Sequence, residues 1–529
     1  MSVIDSTSQA FARGATAENK VFEFSGQVVQ SKILVSAPYD PAKTTVIDDA
    51  PVRILNEADA GDKAGFGWPA HRLLKKVLKG TGGAGTVYWS PQADAAGAVV
   101  ATGLIAFTGT TTASGKISLR IANELFEIAV PSGQGPEETV DAVVLAINAV
   151  ADTPIVASKT SVGTPTTFEV VTTAKSLGAA GNDITLTLSA DQTVIPAEAL
   201  PATLTAVITD MASGTLYPAI SDTLTGMGTD GTDDVNEQGF TQLIHANGLD
   251  TTTLDAINTY VGSANDKTGC WSALVGRPFV SLTGDTVAGS AGLTALEVIT
   301  DARLTNQSSG ILSAPDEDEL PSEIAAQAAG YIGRTHQTSP ATNYSEIILD
   351  GVGGRSISAN RWTNDYSSGR DYAVGQGISP TDVVNTQVLL QNVISMYRPA
   401  SVPNASNGWS SFRSFFIQLN VITNLRLLYS GADYKGFFIV KDKGLVTAAD
   451  AADSARDLND VRADLFSFID NFLVPWGLIY DGDYAKENST VALRALGNGF
   501  TVTLKDFESG EGQIIVAQQE FDKNIAAVQ

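Results

Sequence analysis

The chain opens on polar residues and reaches its first regular pattern at "KVFEFSG", where Phe22 and Phe24 alternate with Glu23. Side chains alternate across a strand, so this run predicts a strand with one apolar face. "KILVSAP", "APVRILN" and "GTVYWSP" predict three further strands, with a helix over Pro69–Lys79 before the last of them. Leu73, Leu74, Val77 and Leu78 give that helix one apolar face, Pro69 opens it and Gly80 closes it. Strand, helix and strand make an α/β unit. The period then changes to two. Ile117, Leu119 and Ile121 alternate with Ser118 and Arg120, and Phe126, Ile128 and Val130 form the return strand. "PEETVDAVVLAINAV" is a single helix between strands, and "TTFEVVTTA" and "NDITLTLSA" add two alternating runs. Together they predict a compact, mostly β body over residues 101–200, inserted in the α/β domain.

Helix and strand alternate again over 201–318. "LDTTTLDAINTYVG" is a helix with Leu254, Ile257 and Val261 inward, "WSALVGRPFVSLTG" contains a strand, and "SAGLTALEVITDARL" is a second helix. The acidic loop "APDEDELPSE" closes this region. Pro321 then opens the helix "EIAAQAAGYIGRTH", whose small residues suit close packing. In the last third, "TDVVNTQVLLQNVISMYRP" reads as a long strand or a hairpin. Phe412, Phe415, Leu419, Ile422 and Leu425 mark one helix, and Leu458, Val461, Leu465, Ile469 and Phe472 a second. "STVALRALG", "GFTVTLKDF" and "GQIIVAQQEF" predict three closing strands. The fold class expected is a multidomain α+β chain. Its parts are an arm over 1–30, an α/β domain split between 31–100 and 201–318 around the 101–200 insertion, and a C-terminal domain over 319–529.

Composition turns this picture toward assembly. Only 17% of residues are charged, against roughly 25% in ordinary soluble chains. The neutral surface this leaves favours contacts between copies. The net charge is −25, which argues against nucleic acid as a partner, since phosphate contacts need clustered Lys and Arg. The longest basic grouping, "HRLLKKVLK" over His71–Lys79, reads as the solvated face of a short helix. "MSVIDSTSQAFARG" lacks the apolar core of a signal peptide, and no run approaches the ~20 apolar residues of a membrane span. No membrane anchor is therefore expected. The single cysteine, Cys270, lies in apolar "TGCWSALVG" and reads as a small buried hydrophobe.

Tests for chemistry find little. "GTGGAG" over Gly80–Gly85 matches G-x-G-x-x-G in letters, but it follows a helix and precedes a strand. The nucleotide fingerprint needs the reverse order, with a helix N-terminus on the phosphates. "DTLTGMGTDGTDDVNE", from Asp222, lacks the alternation of an EF-hand and reads as a solvated loop. His71, His245 and His336 lie in separate contexts without metal-ligand spacing. G-x-S-x-G does not occur. Carboxylates are numerous, but no particular glycosidase pair stands out. The expectation is no enzyme, no metal and no cofactor.

The order of landmarks resembles the tail sheath proteins of contractile-tailed bacteriophages, in their Mu-like branch. The landmarks are Pro51-Val52-Arg53-Ile54, Phe66-Gly67, the hairpin from Gly103 to Ile121, and "AKSLGAAGNDITL" over Ala174–Leu186. They are clearest over residues 31–190. The resemblance implies a tail-sheath-like fold and a structural subunit that stacks as hexameric rings around a tail tube. Contraction drives that tube through the host envelope during genome ejection. It implies self-association, contacts with tail tube, baseplate and tail terminator proteins, and a place in the virion tail after assembly in the host cytoplasm. It also implies that strands from both chain ends add to sheets of neighbouring subunits. The matching runs carry Val21, Phe22 and Phe24 at one end and Ile514, Ile515 and Val516 at the other. Another structural component of a phage or injection system, a baseplate or adhesion protein, is the alternative.

Overall fold

A computed structural model describes residues 26–43, 50–162, 167–188, 199–228, 236, 238–263, 268–271, 277–285, 289–313, 319–353, 369–384, 387–398, 410–494 and 499–505. The chain divides into two compact units. The larger is Gln27–Asn424, and the smaller is Met1–Gly26 with Leu425–Gln529.

The larger unit starts with β1 (Lys32–Pro38), β2 (Val52–Ile54), α1 (Glu57–Ala64), α2 (Pro69–Thr81) and β3 (Thr86–Gln92). The insertion follows as β4 (Val100–Thr108), β5 (Gly115–Ile121), β6 (Glu124–Val130), α3 (Pro136–Asn148), β7 (Ile155–Val162), β8 (Thr167–Leu177), β9 (Leu186–Leu188) and β10 (Thr205–Ala212). The chain then continues through α4 (Ile220–Met227), β11 (Gln242–His245), α5 (Thr251–Val261), β12 (Val280–Asp285), α6 (Gly289–Asp301) and β13 (Ser309–Ser313). α7 (Pro321–Thr338), β14 (Ile347–Gly353), α8 (Arg370–Gly375), β15 (Ile378–Val384), β16 (Gln387–Leu390) and α9 (Phe412–Ser430) complete it, with α9 running on into the smaller unit.

One nine-stranded sheet organises this unit, in the order β14-β16-β15-β13-β12-β11-β1-β3-β2. The strands from β3 to β15 are parallel, while β2 at one edge runs antiparallel to β3, and at the other edge β16 runs antiparallel to both of its neighbours, β15 and β14. Parallel strands need both faces covered. Ile33 faces α7 at Gly333, whereas Ser36 hydrogen-bonds Thr223 of α4 at 2.7 Å. Odd and even positions of β1 point to opposite faces, so helices lie on both. The sheet carries on past residue 318 as far as Leu390.

The insertion has its own core. The sheets β10-β4-β8-β7 and β6-β5-β9 enclose Phe107, Leu119, Ile121, Val130, Val140 and Val170. The expected hairpin is present, with Ile117 opposite Ile128 and Leu119 opposite Phe126. β10 pairs with β4 although it lies past residue 200. The smaller unit contains α10 (Ala449–Ser454), α11 (Leu458–Phe468), a π turn over Ile469–Leu473 and α12 (Gly482–Asn488). Two short sheets accompany them, β17 (Phe438–Ile439) with β18 (Ala455–Arg456) and β19 (Thr490–Leu493) with β20 (Phe500–Thr503). The second C-terminal helix starts at Leu458, the first residue of its apolar series. The Asp457 side chain caps Asn459 and Asp460, and Leu458 is exposed. The multidomain α+β class expected from the sequence is borne out.

Two helix limits differ from expectation. α2 runs past Gly80 and ends at Gly82, whose φ of 55° is the left-handed conformation that stops a helix. Gly80 is needed for packing instead. A Cβ there would lie 2.9 Å from Gly330 Cα and 2.3 Å from the Gln327 carbonyl oxygen. The small residues of α7 therefore allow the close approach anticipated for them, against α2. The stretch from Asp222 begins as helix α4 rather than as a loop.

Candidate functional site

The two helices that meet at Gly80 and Gly330 run in the same direction. Their first turns come together beside the β5–β6 turn of the insertion, where Ala122 and Asn123 have positive φ. Side chains from α2, α7 and the insertion line a cavity of about 200 Å³ at this junction, among them Arg72, Lys76, Glu124, Asp152, Glu319 and Glu323.

Arg72 is the centre of the cluster and is only 6% exposed. Its Nε donates to Glu323 Oε1 at 2.5 Å, and one terminal nitrogen donates to Glu323 Oε2 at 3.1 Å and to the Ala122 carbonyl at 3.2 Å. The other donates to Glu124 Oε1 at 2.9 Å and to the Asp152 carbonyl at 3.1 Å. A guanidinium has five N–H donors, and all five are used. Burial opposes its charge, but Glu323 and Glu124 outweigh burial and raise its pKa. Glu323 sits in the first turn of α7, where the helix dipole favours a carboxylate.

Lys76 pairs with buried Glu319, which also accepts from Asn123 Nδ2 at 2.6 Å. Burial, opposed by Glu323 and reinforced by Arg72, Lys79 and Lys75, brings Lys76 down to about 8. The basic face of "HRLLKKVLK" is thus not solvated surface but an ionic joint to the insertion and to α7. The acidic run before Pro321 supplies part of that joint through Glu319 and does not simply close a loop.

Glu57, His71 and Asp152 bring potential ligand atoms within 4.8 Å of one another. That is metal-like spacing, but a cation already stands there. Lys75 Nζ lies 2.8 Å from Glu57 and 2.9 Å from Asp152. Gly67 N–H donates to His71 Nδ1 at 3.2 Å, so the neutral ring carries its proton on Nε2 and presents no lone pair there. Burial lowers the His71 pKa and keeps the ring neutral. The donor set fits an ion pair with Lys75 rather than a metal. His245, on β11, and His336, on α7, stand apart from this cluster. Cys270 is fully buried, as its sequence context suggests. Among the described residues, no helix is long and apolar enough to cross a membrane.

Val21, Phe22, Phe24, Ile514, Ile515 and Val516 lie outside the described residues. Within the smaller unit, β19 and β20 pair only with each other among the described residues. Each leaves an outer edge of backbone N–H and C=O groups that another strand could join.

No family model matches the chain. The Mu-like prophage FluMu tail sheath protein of Haemophilus influenzae is 35% identical over 138 residues. That match spans 26% of this chain and 26% of the relative, about a quarter of its length. Among solved structures, the sheath tail protein of Desulfitobacterium hafniense aligns at TM-score 0.45 and 13% identity, over 92% of this chain and 95% of that one. The sheath complex of the PVC extracellular contractile injection system, in its contracted state, aligns at 0.46 and 9%, over 95% of each chain. The resemblance to tail sheath proteins of the Mu-like branch is borne out by the Haemophilus relative.

Proposed function

We propose that this chain is the structural subunit of a contractile tail sheath. The observation that carries this reading is the 35% identity to a tail sheath protein. In this reading the subunits stack as hexameric rings around a tail tube, and contraction drives the tube through the host envelope during genome ejection. The subunit performs no covalent chemistry. Work comes from the free-energy difference between two packings of the same subunits. Its partners are other copies of itself, the tail tube, the baseplate and the tail terminator. It belongs to the virion tail and assembles in the host cytoplasm, with no nucleic acid, metal or cofactor required.

In this reading residues 1–30 act as an arm, 101–200 as a peripheral insertion and 319–529 as a C-terminal body ending in a donated strand, although the large sheet itself runs across residue 318 to Leu390. Val21, Phe22 and Phe24, and Ile514, Ile515 and Val516, add to a sheet by main-chain hydrogen bonding, at least one of the two runs in a neighbouring copy. Among the described residues β19 and β20 have no further strand partner, which supports this reading, because a two-stranded sheet alone is marginally stable. Negative-stain microscopy of purified protein tests the reading. Helical tubes are expected, and discrete particles under all assembly conditions count against it. Truncation of residues 1–24, or of 513–529, is expected to leave a folded subunit by circular dichroism that no longer forms tubes. Normal polymerisation of both truncated proteins would sink the strand-donation mechanism.

A further inference from the structure

The helix α9 carries two fully buried asparagines four residues apart, Asn420 and Asn424, on a face otherwise occupied by Phe416 and Val421. Buried amides in a helix need partners. Both find them on the short segment that precedes β1. Val29 N–H donates to Asn420 Oδ1 at 2.8 Å, and Gln27 N–H donates to Asn424 Oδ1 at 3.0 Å. Asn424 Nδ2 returns a hydrogen bond to the Gln27 carbonyl at 2.9 Å. The spacing explains the fit. Two strand residues span about 6.6 Å, and four helix residues rise about 6.0 Å. An i, i+4 pair of asparagines can therefore imitate the polar edge of a neighbouring strand. On the other side, His336 Nε2 donates to the Val29 carbonyl at 2.9 Å, and Gln337 meets Gln30. Burial keeps His336 neutral, with its pKa lowered to about 4, so the ring can hold this tautomer.

We propose that Asn420, Asn424 and His336 form a strand-mimicking dock that grips residues 27–30 and anchors the N-terminal segment ahead of β1. The dock positions that segment for pairing with a neighbouring copy, and in this it rests on the sheath reading above. It also ties together the two places where the chain leaves the larger unit, Gln27 and Asn424. Tension on the N-terminal segment is then borne by the rail of amide hydrogen bonds before it reaches β1.

The test uses the full chain carrying Asn420→Ala and Asn424→Ala, measured by hydrogen exchange as soluble subunit and by microscopy for tubes. Exchange in the peptide covering residues 27–30 should quicken by roughly tenfold for each hydrogen bond lost. Peptides of the insertion should be unchanged, and tube formation should fall. If the double variant exchanges faster everywhere, Asn424→Asp replaces it. That variant keeps an acceptor for Gln27 N–H, loses the donor, and should quicken exchange locally. Unchanged exchange at 27–30 overturns the dock. Faster exchange with normal tubes overturns its positioning role. Normal tubes from the 1–24 truncation overturn strand donation by the N-terminal segment and leave the dock standing.

Discussion

Replacing Arg72 with Met tests whether the ionic joint holds the insertion. The change keeps most of the side-chain length and removes the charge and five donors. It leaves Glu323, 1% exposed, without its bidentate partner, and leaves the Ala122 and Asp152 carbonyls without their Arg72 donor. Removing one member of a buried ion pair costs about 3–5 kcal/mol, because the surviving charge stays desolvated. Glu124 is partly exposed and can be hydrated, and Lys76 lies near Glu323, so the lower end of that range is expected. Arg72→Lys should cost nearly as much, since an ammonium cannot reproduce the fork. Urea unfolding followed by tryptophan fluorescence gives the number, and proteolysis at the Asn123 turn gives the location. The double variant Arg72→Met, Glu323→Leu should recover much of the loss, because apolar residues often replace a buried pair at little cost. A loss under about 1 kcal/mol for Arg72→Met, or a double variant that costs the sum of the two singles, would refute the assignment.

Two further outcomes follow from the same structure. His245 and His336 are both buried with pKa values lowered to about 4, by burial in each case, opposed by Asp250 for the first and by the Val29 hydrogen bond for the second. The unfolded chain binds these protons more tightly, so stability falls as pH drops from about 6.5 toward 4, by about 2 kcal/mol for each histidine at pH 5; unfolding curves that coincide at pH 7 and pH 5 would contradict this. Deleting residues 100–214 and joining Val99 to Thr215, which form a β-bridge, should leave tube formation intact if the insertion is peripheral, and a folded product that fails to assemble would place it in the lattice.

What could be read from the sequence was local. The hairpin of β5 and β6 carries its period of two within fifteen residues, and its pairs stand where the alternation puts them. The small residues of α7 announced a close approach, although their partner Gly80 looked like a helix stop. The joint was not legible, because its pairs are far apart along the chain. Arg72 and Glu323 are separated by 251 positions, and Arg72 and Glu124 by 52. Read alone, a basic helix face and an acidic loop each look solvated. The one local sign was the acid cluster before a proline-started helix, which could have been matched with the basic, also proline-started helix α2. The two asparagines of α9 left a clearer sign, as amides on an apolar face, but nothing in the sequence identified residues 27–30 as what they hold.

The joint and the dock divide the labour of any movement the subunit makes. A guanidinium with all five donors occupied cannot slide by one residue without stranding a buried carboxylate, so the joint resists sliding of the insertion against α2 and α7. The dock is different in kind. It holds main chain through neutral amides, each bond worth about 1 kcal/mol, at an edge where Gln27 is exposed. Such bonds can open one rung at a time while the charged joint stays closed. In the sheath reading proposed above, a rearrangement between two packings of the subunits would open the dock before the joint.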